Sequence, residues 1–288
     1  KTPYSGFQKM KLLKDKLSNF NIKAHSLRGN NFYEGIVKYR QKILPLMKHR
    51  IIPFEEFNCT LCGHNEGISL FEWEENYQLI QCDQCEAVSP SISLEDMASY
   101  IDETYSTDTY YEKLTREILS QYEYRKKTFG EERYRYVVER LGLSPSQSKI
   151  LDLGCGAGYF LSVLKDRNIA HRGLEVTPHQ VKFCIEQGLN VASADLYEEQ
   201  DGAYDAIVMF DVLEHLSDPV ALLKVVKNKL KDSGFCVAYT PNMHSVGYEL
   251  MLDKQNTLLP FEHLCFFNQK SFEYLASEVG LGIHTIET

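Results

Sequence analysis

Ile150-Leu151-Asp152-Leu153-Gly154-Cys155-Gly156-Ala157-Gly158-Tyr159-Phe160 sets three glycines where an apolar run gives way to an amphipathic stretch. The run reads as a buried strand and the residues after it as a helix, so the glycines occupy a strand-to-helix turn. Missing side chains there let the backbone approach a ligand closely, and the amides of the new helix point outward. A dinucleotide fingerprint, G-x-G-x-x-G, would need its third glycine at position 159. That position is Tyr159, and the glycines run G-x-G-x-G instead. Asp152, two residues before the first glycine, falls at the tip of the strand. A carboxylate there suits a ligand carrying an ammonium group and repels a pyrophosphate, which argues against NAD and for an amino-acid-bearing nucleoside.

Outward from this turn the chain alternates. Strands are expected at Lys149–Leu153, His171–Glu175, Asn190–Ser193, Tyr204–Phe210 and Phe235–Thr240, with helices at Gly158–Arg167, Pro178–Gln187 and Pro219–Leu230. Each crossover between parallel strands needs such a helix, so the fold class is α/β, a Rossmann-like doubly wound sheet. Glu175, at the tip of the second strand, is placed to accept ribose hydroxyls. Asp195, past the third strand, is placed to face an adenine amino group. Phe210 and Asp211 end the fourth strand, beside the switch point where open sheets of this class bind ligands.

These residues carry a resemblance. Asp152, Gly154, Gly156, Gly158, Glu175, Asp195 and the run Phe210-Asp211-Val212-Leu213-Glu214-His215-Leu216-x-Asp218-Pro219 resemble class I S-adenosylmethionine-dependent methyltransferases, above all the small-molecule branch with the ubiquinone-type O-methyltransferases. The match covers residues 145–288. It implies that the turn, Cys155 included, holds the methionine end of S-adenosylmethionine, Glu175 the ribose and Asp195 the adenine, with Phe210 and Asp211 alongside.

Cys59-x-x-Cys62 and Cys82-x-x-Cys85, with strand-like runs Ile68–Trp73 and Tyr77–Ile80 between them, have zinc-ribbon spacing. Four thiolates would close the coordination sphere, so a Zn2+ there is structural. Cys155, Cys184, Cys236 and Cys265 have no spacing partner and read as buried thiols. A ribbon over 56–95, a Tyr-rich helical segment over 96–144 and the domain from 145 onward form an order that resembles bacterial methyltransferases of antibiotic and surface-polysaccharide pathways. Ahead of them lies a basic helical arm, 1–55.

The resemblance also bears on the chemistry. Methyl transfer to a hydroxyl needs alignment and a base. His215 follows the fourth strand, where the family's active-site edge lies. His263 sits in Pro260-Phe261-Glu262-His263, similar to a Tyr-x-Glu-His run of ribbon-bearing sugar C-methyltransferases. Glu262 and His263 match, whereas Pro260 stands where that group has Tyr, which favours an oxygen acceptor. Packing roles for both histidines stay open. The long connector Pro241–Pro260 is expected to form a lid with the Tyr-rich helices, and Tyr105, Tyr110 and Tyr111 are the rings placed to meet an acceptor.

Composition bounds the rest. The net charge of −9 combines +10 over residues 1–50 with −19 over the remainder, so arm and body attract each other. No stretch is apolar enough to span a membrane and no cleavable signal is present, so eight reduced cysteines point to the cytoplasm. The expected partner is a small, sugar-like acceptor. An RNA methyltransferase gripping phosphates with ribbon and arm, a sugar C-methyltransferase, and a cofactor-binding scaffold without chemistry remain the alternatives. Only Leu281–Thr288 follows the last helix, Ser271–Val279, too little for a closing hairpin, and no Met opens the chain. A fragment of a longer polypeptide is therefore expected.

Overall fold

The computed structural model describes residues 30–95, 116, 119–251 and 255–287, with the side chains of 30–37, 249 and 250 left aside. The described residues fall into two compact units. One holds the chain up to Ser93 together with Asn242–Ser271; the other holds the chain from Leu94 to Pro241 together with Phe272–His284. Among them no helix is long and apolar enough to cross a membrane.

The first unit opens with helix α1 (Asn30–Met47). Arg40, Leu44 and Met47, spaced four and three apart, form its buried stripe. A three-stranded antiparallel sheet follows in the order β1 (Gly67–Glu72), β2 (Gln78–Cys82), β3 (Val88–Pro90). Its central strand buries Leu79 and Ile80. The expected runs at 68–73 and 77–80 are thus two strands of one antiparallel sheet, each within two residues of its predicted bounds. Residues Asn242–Ser271 belong to this unit: Phe266 exchanges backbone hydrogen bonds with Val88, and Asn242 bridges Phe267.

In the second unit, helix α2 covers 122–139, a run in which α-turns (Tyr122–Arg125, Glu131–Tyr134) alternate with π-turns (Lys126–Gly130, Arg135–Glu139). Tyr122, Gly130, Tyr134 and Val138 are buried. Positions four apart drift around an ordinary α-helix. The wider π-turns bring the mean to about four residues per turn, which holds this stripe on one face. Gly130 lies where α2 crosses the next helix, and a Cβ there would meet the Tyr159 carbonyl at 2.7 Å.

Five parallel strands then stand in the order β6-β5-β4-β7-β8. They are β4 (Lys149–Leu153), β5 (Ala170–Leu174), β6 (Val191–Ala192), β7 (Tyr204–Phe210) and β8 (Leu230–Tyr239). The connecting helices are α3 (Tyr159–Asp166), α4 (Pro178–Glu186) and α5 (Pro219–Lys229). This is the Rossmann-like sheet expected, and the order reverses between β4 and β7, the switch point. The central strands are buried on both faces, which is why Ile150, Leu151 and Ala206–Met209 form continuous inaccessible runs. Helix α5 starts on Asp218, whose carboxylate accepts from the Ala221 amide at 2.8 Å, with Pro219 in the first turn. Helix α6 (Gln269–Val279) opens on a reciprocal cap between Asn268 and Ser271 and ends at Gly280, φ +65°. β8 begins five residues before the predicted Phe235, because Leu230 already pairs with Tyr204, and after a register irregularity the regular pairing resumes with Phe235 against Ala206. Leu281–Glu287 forms no strand.

Candidate active site and cysteine cluster

The glycine turn at the tip of β4 depends on its sequence. Gly154, Gly156 and Gly158 all have left-handed backbone, at φ +71°, +56° and +72°. A Cβ on Gly154 would strike Val212 at 2.6 Å, and one on Gly158 would strike Leu189 at 2.6 Å. Conformation and space both require glycine at these two places. Glu175, just past β5, ties the turn down. Its Oε2 accepts from the Gly156 amide at 2.7 Å, and its Oε1 accepts from the Thr177 amide at 2.8 Å. Each oxygen keeps a further lone pair for a ligand hydroxyl. Cys155 and Cys184 pack beneath the turn, and the Cys184 thiol points at the Gly156 carbonyl, 3.4 Å away. The bond from Cys184, followed by burial, pushes the Cys155 thiol well above its ordinary pKa, so it is a packing group.

Asp152 is 1% exposed, and neither carboxylate oxygen has a hydrogen-bond partner among the described residues. Burial pushes its pKa up to about 7; the Arg133 charge opposes the rise and Glu175 adds to it. A buried carboxylate without a partner is a place for a cation that the chain does not supply. Arg133 comes from α2: its guanidinium lies 4.1 Å from the centre of the Phe210 ring and 3.8 Å from Asp211. Phe210 in turn meets Phe160 edge-on at 5.8 Å. The switch point thus offers an orphaned anion and a fixed cation side by side, complementary to an α-amino-acid zwitterion. Arg133 was not foreseen, because a lone arginine in a Tyr-rich helix belongs to no motif.

The other expected residues take distinct places. Asp195 is exposed, and its Oδ1 accepts from the Tyr197 amide at 3.0 Å, capping the short turn Leu196–Glu198. His215 ends the turn Leu213–His215 and is half-buried. Its neighbour Glu214 is 1% exposed and accepts from the Thr240 hydroxyl at 2.7 Å; burial nevertheless pushes its carboxyl up to about 7. Glu262 and His263 belong to the first unit. The Tyr39 hydroxyl donates to Glu262, and buried His263 meets Phe266 edge-on at 5.8 Å. Tyr105, Tyr110 and Tyr111 lie outside the described residues.

In the first unit the four paired cysteines converge. All four Sγ atoms lie within 4.8 Å of one another, with Cys59 to Cys85 and Cys62 to Cys82 at 3.5 Å. A tetrahedral ion with sulfurs at about 2.3 Å would set them about 3.8 Å apart. Backbone turns shape both knuckles: the Gly63 amide returns to the Cys59 carbonyl, the Glu86 amide to that of Cys82, and the Gln84 amide points at the Cys82 sulfur. The Cys85 thiol holds Cys59 down at about 5, while burial drives Cys62 up to about 12. The donor set suits a soft, tetrahedral divalent ion.

A family model described as a methyltransferase domain matches residues 123–286. The ubiquinone biosynthesis O-methyltransferase of Chromobacterium violaceum is 27% identical over 153 residues, 48% of this chain and 66% of that protein. Its namesake from Xylella fastidiosa (strain M23) is 30% identical over 127 residues, 41% of this chain and 51% of that protein. The chain therefore spans between about half and two thirds of the length of these curated relatives. Among solved structures, a SAM-dependent methyltransferase from Archaeoglobus fulgidus aligns at 25% identity over 60% of this chain and 74% of that one, with a TM-score of 0.46.

Proposed function

Because the chain belongs to the methyltransferase-domain family, we propose that it moves the methyl group of S-adenosylmethionine to a hydroxyl of a small molecule, a sugar or glycan intermediate. The observation that carries this reading is the orphaned Asp152 carboxylate beside a glycine turn held by Glu175. Asp152 receives the ammonium of the methionine moiety, Arg133 its carboxylate, Glu175 the ribose hydroxyls and Asp195 the adenine amino group. Phe210 and Asp211 line the path between them, and the turn that includes Cys155 carries the methionine end, the Cys155 amide itself donating to the Leu174 carbonyl. The curated relatives are named as O-methyltransferases, which supports an oxygen acceptor.

When bound, S-adenosylmethionine supplies a methyl carbon that an acceptor oxygen attacks as the sulfonium departs as a neutral thioether. The chain's own part is alignment and proton removal. His263 takes the acceptor proton, with Glu262 beside it in sequence, and His215 is the second candidate base. The four-cysteine cluster holds a structural Zn2+, and the thiols fit a reducing compartment such as the cytoplasm.

Calorimetry with S-adenosylhomocysteine tests the cofactor site directly, and saturable binding is expected. A panel of nucleotide-linked sugars and other small hydroxyl compounds, incubated with methyl-labelled cofactor, then identifies the acceptor. Absence of nucleoside binding, or binding of NAD in its place, would overturn the reading.

A further inference from the structure

The turn that carries Glu262 and His263 is held in an unusual way. Phe261, fully buried, has left-handed backbone at φ +67°, a conformation a bulky aromatic residue rarely adopts. Its ring packs at 5.5 Å from Tyr77, itself buried on the ribbon, and its amide faces the Tyr77 hydroxyl. The Leu259 carbonyl accepts from the amides of both Glu262 and His263, closing the turn. Such strain survives only where the surroundings over-determine it, and it concentrates at working sites.

The side chain at the head of this turn is gripped from 223 residues away, by the Tyr39 hydroxyl donating to Glu262. Tyr39 is set by its own neighbours. Arg40 is buried with its guanidinium 4.3 Å over the Trp73 ring, and Leu44 and Met47 continue the same inner stripe of α1. These contacts fix the rotation of the helix, so Tyr39 falls on the flank facing Glu262. The same Trp73 stacks on Tyr77 at 5.4 Å, which joins the anchor of α1 to the anchor of Phe261. A solvated helix would need neither a buried arginine nor a tyrosine spent on a distant carboxylate.

We propose that Tyr39 is a positioning residue, whose phenol fixes the Glu262 carboxylate and with it the turn that presents His263. The helix ahead of the ribbon then serves the acceptor-side machinery. This rests on the assignment of Glu262 and His263 to the chemistry made above. A donor on a carboxylate favours its ionised form. Loss of the phenol therefore releases the carboxylate and makes it easier to protonate.

The test uses the full chain with S-adenosylhomocysteine bound. The Glu262 carboxyl, labelled with carbon-13 and assigned through Glu262→Gln, is titrated by NMR in the wild type and in Tyr39→Phe. Removing the hydroxyl should raise its titration by about one unit, a tenfold change in proton affinity, while S-adenosylhomocysteine affinity stays within about twofold. With the acceptor selected by the screen, kcat should fall about tenfold, and the acid limb of its pH profile should move up with the carboxyl. In a Glu262→Gln background Tyr39→Phe should change nothing further, whereas a residue that merely packs α1 would act equally in both backgrounds. An unmoved titration and acid limb in Tyr39→Phe overturn the inference. A His263→Ala variant with undiminished transfer instead overturns the catalytic assignment, and the titration still decides what Tyr39 does to Glu262. Should Tyr39→Phe melt early, Tyr39→His keeps a donor at the site and is expected to restore the wild-type titration; failure to restore it in a folded protein counts against the inference.

Discussion

Glu175 holds the amide of Gly156 at 2.7 Å, so the tip of β5 and the glycine turn of β4 are bonded to each other before any ligand arrives. One carboxylate thus shapes the cradle and, in the proposed function, also takes the ribose. Glu175→Ala should weaken S-adenosylhomocysteine binding by about 1–3 kcal/mol, the scale of a lost bond to a charged group. It should also lower the melting temperature of the ligand-free chain, since the Gly156 and Thr177 amides both lose their acceptor. Calorimetry and thermal unfolding measure the two effects, and an unchanged dissociation constant would remove Glu175 from the ribose.

Asp152 gives the site a pH dependence. Its carboxyl sits at about 7 in the fold against an ordinary value near 3.9, so between those limits the folded state holds a proton that the unfolded state has released. Stability of the ligand-free chain should therefore decline as pH rises from about 4 to 7 and level off above, by roughly 4 kcal/mol for Asp152. Binding an ammonium requires the ionised form. Affinity for S-adenosylhomocysteine should rise towards pH 7 by up to about tenfold per unit and level off above it. Asp152→Asn should abolish the acid limb; a limb that persists would place the ammonium elsewhere.

Gly158→Ala tests the turn itself. The substitution forces a side chain into left-handed backbone and against Leu189 and the Cys184 sulfur, at 2.6 and 3.0 Å. Destabilisation of about 1–3 kcal/mol is expected from strain and overpacking, together with a marked loss of cofactor affinity. Urea unfolding and calorimetry on the same preparation separate the two.

Metal analysis of the purified chain should find one zinc per molecule. Chelation, or Cys59→Ser, should release it and unfold the three-stranded sheet, because four converging thiolates need the cation to offset their charge. A chain that binds no zinc and melts unchanged after chelation would show the cluster to be four packed thiols.

Arg133→Gln should weaken S-adenosylhomocysteine binding about tenfold or more but spare 5′-methylthioadenosine, which lacks the amino-acid moiety. Equal losses for both ligands would mean that Arg133 supports the pocket walls without reading the carboxylate.

The strands and helices of the sheet could be read locally because each carries its own signal. Buried runs such as Ile150–Leu151 and Ala206–Met209, left-handed glycines and the Asp218-Pro219 cap are decided within a few residues. The cysteine spacing was equally local. What escaped was long-range. Arg133 reaches Phe210 and Asp211, Thr240 reaches Glu214, and Tyr39 reaches Glu262, and none of these residues announces its partner by spacing. The grouping of Asn242–Ser271 with the ribbon is of the same kind: it rests on Phe266 meeting Val88, a pairing of two ordinary apolar residues.

The two π-turns of α2 have a consequence for how this helix tolerates change. A wide turn of that kind is what remains when one residue is added to a helix whose ends are already committed. Deleting a single residue from Lys126–Gly130 should therefore let the wide turn close to an ordinary α-turn while the segments on either side keep their phase. Tyr122 would hold its place against Tyr159 and Phe183, and Arg133 its seat on Phe210. The segment acts as a slack turn, in which a one-residue loss is absorbed locally.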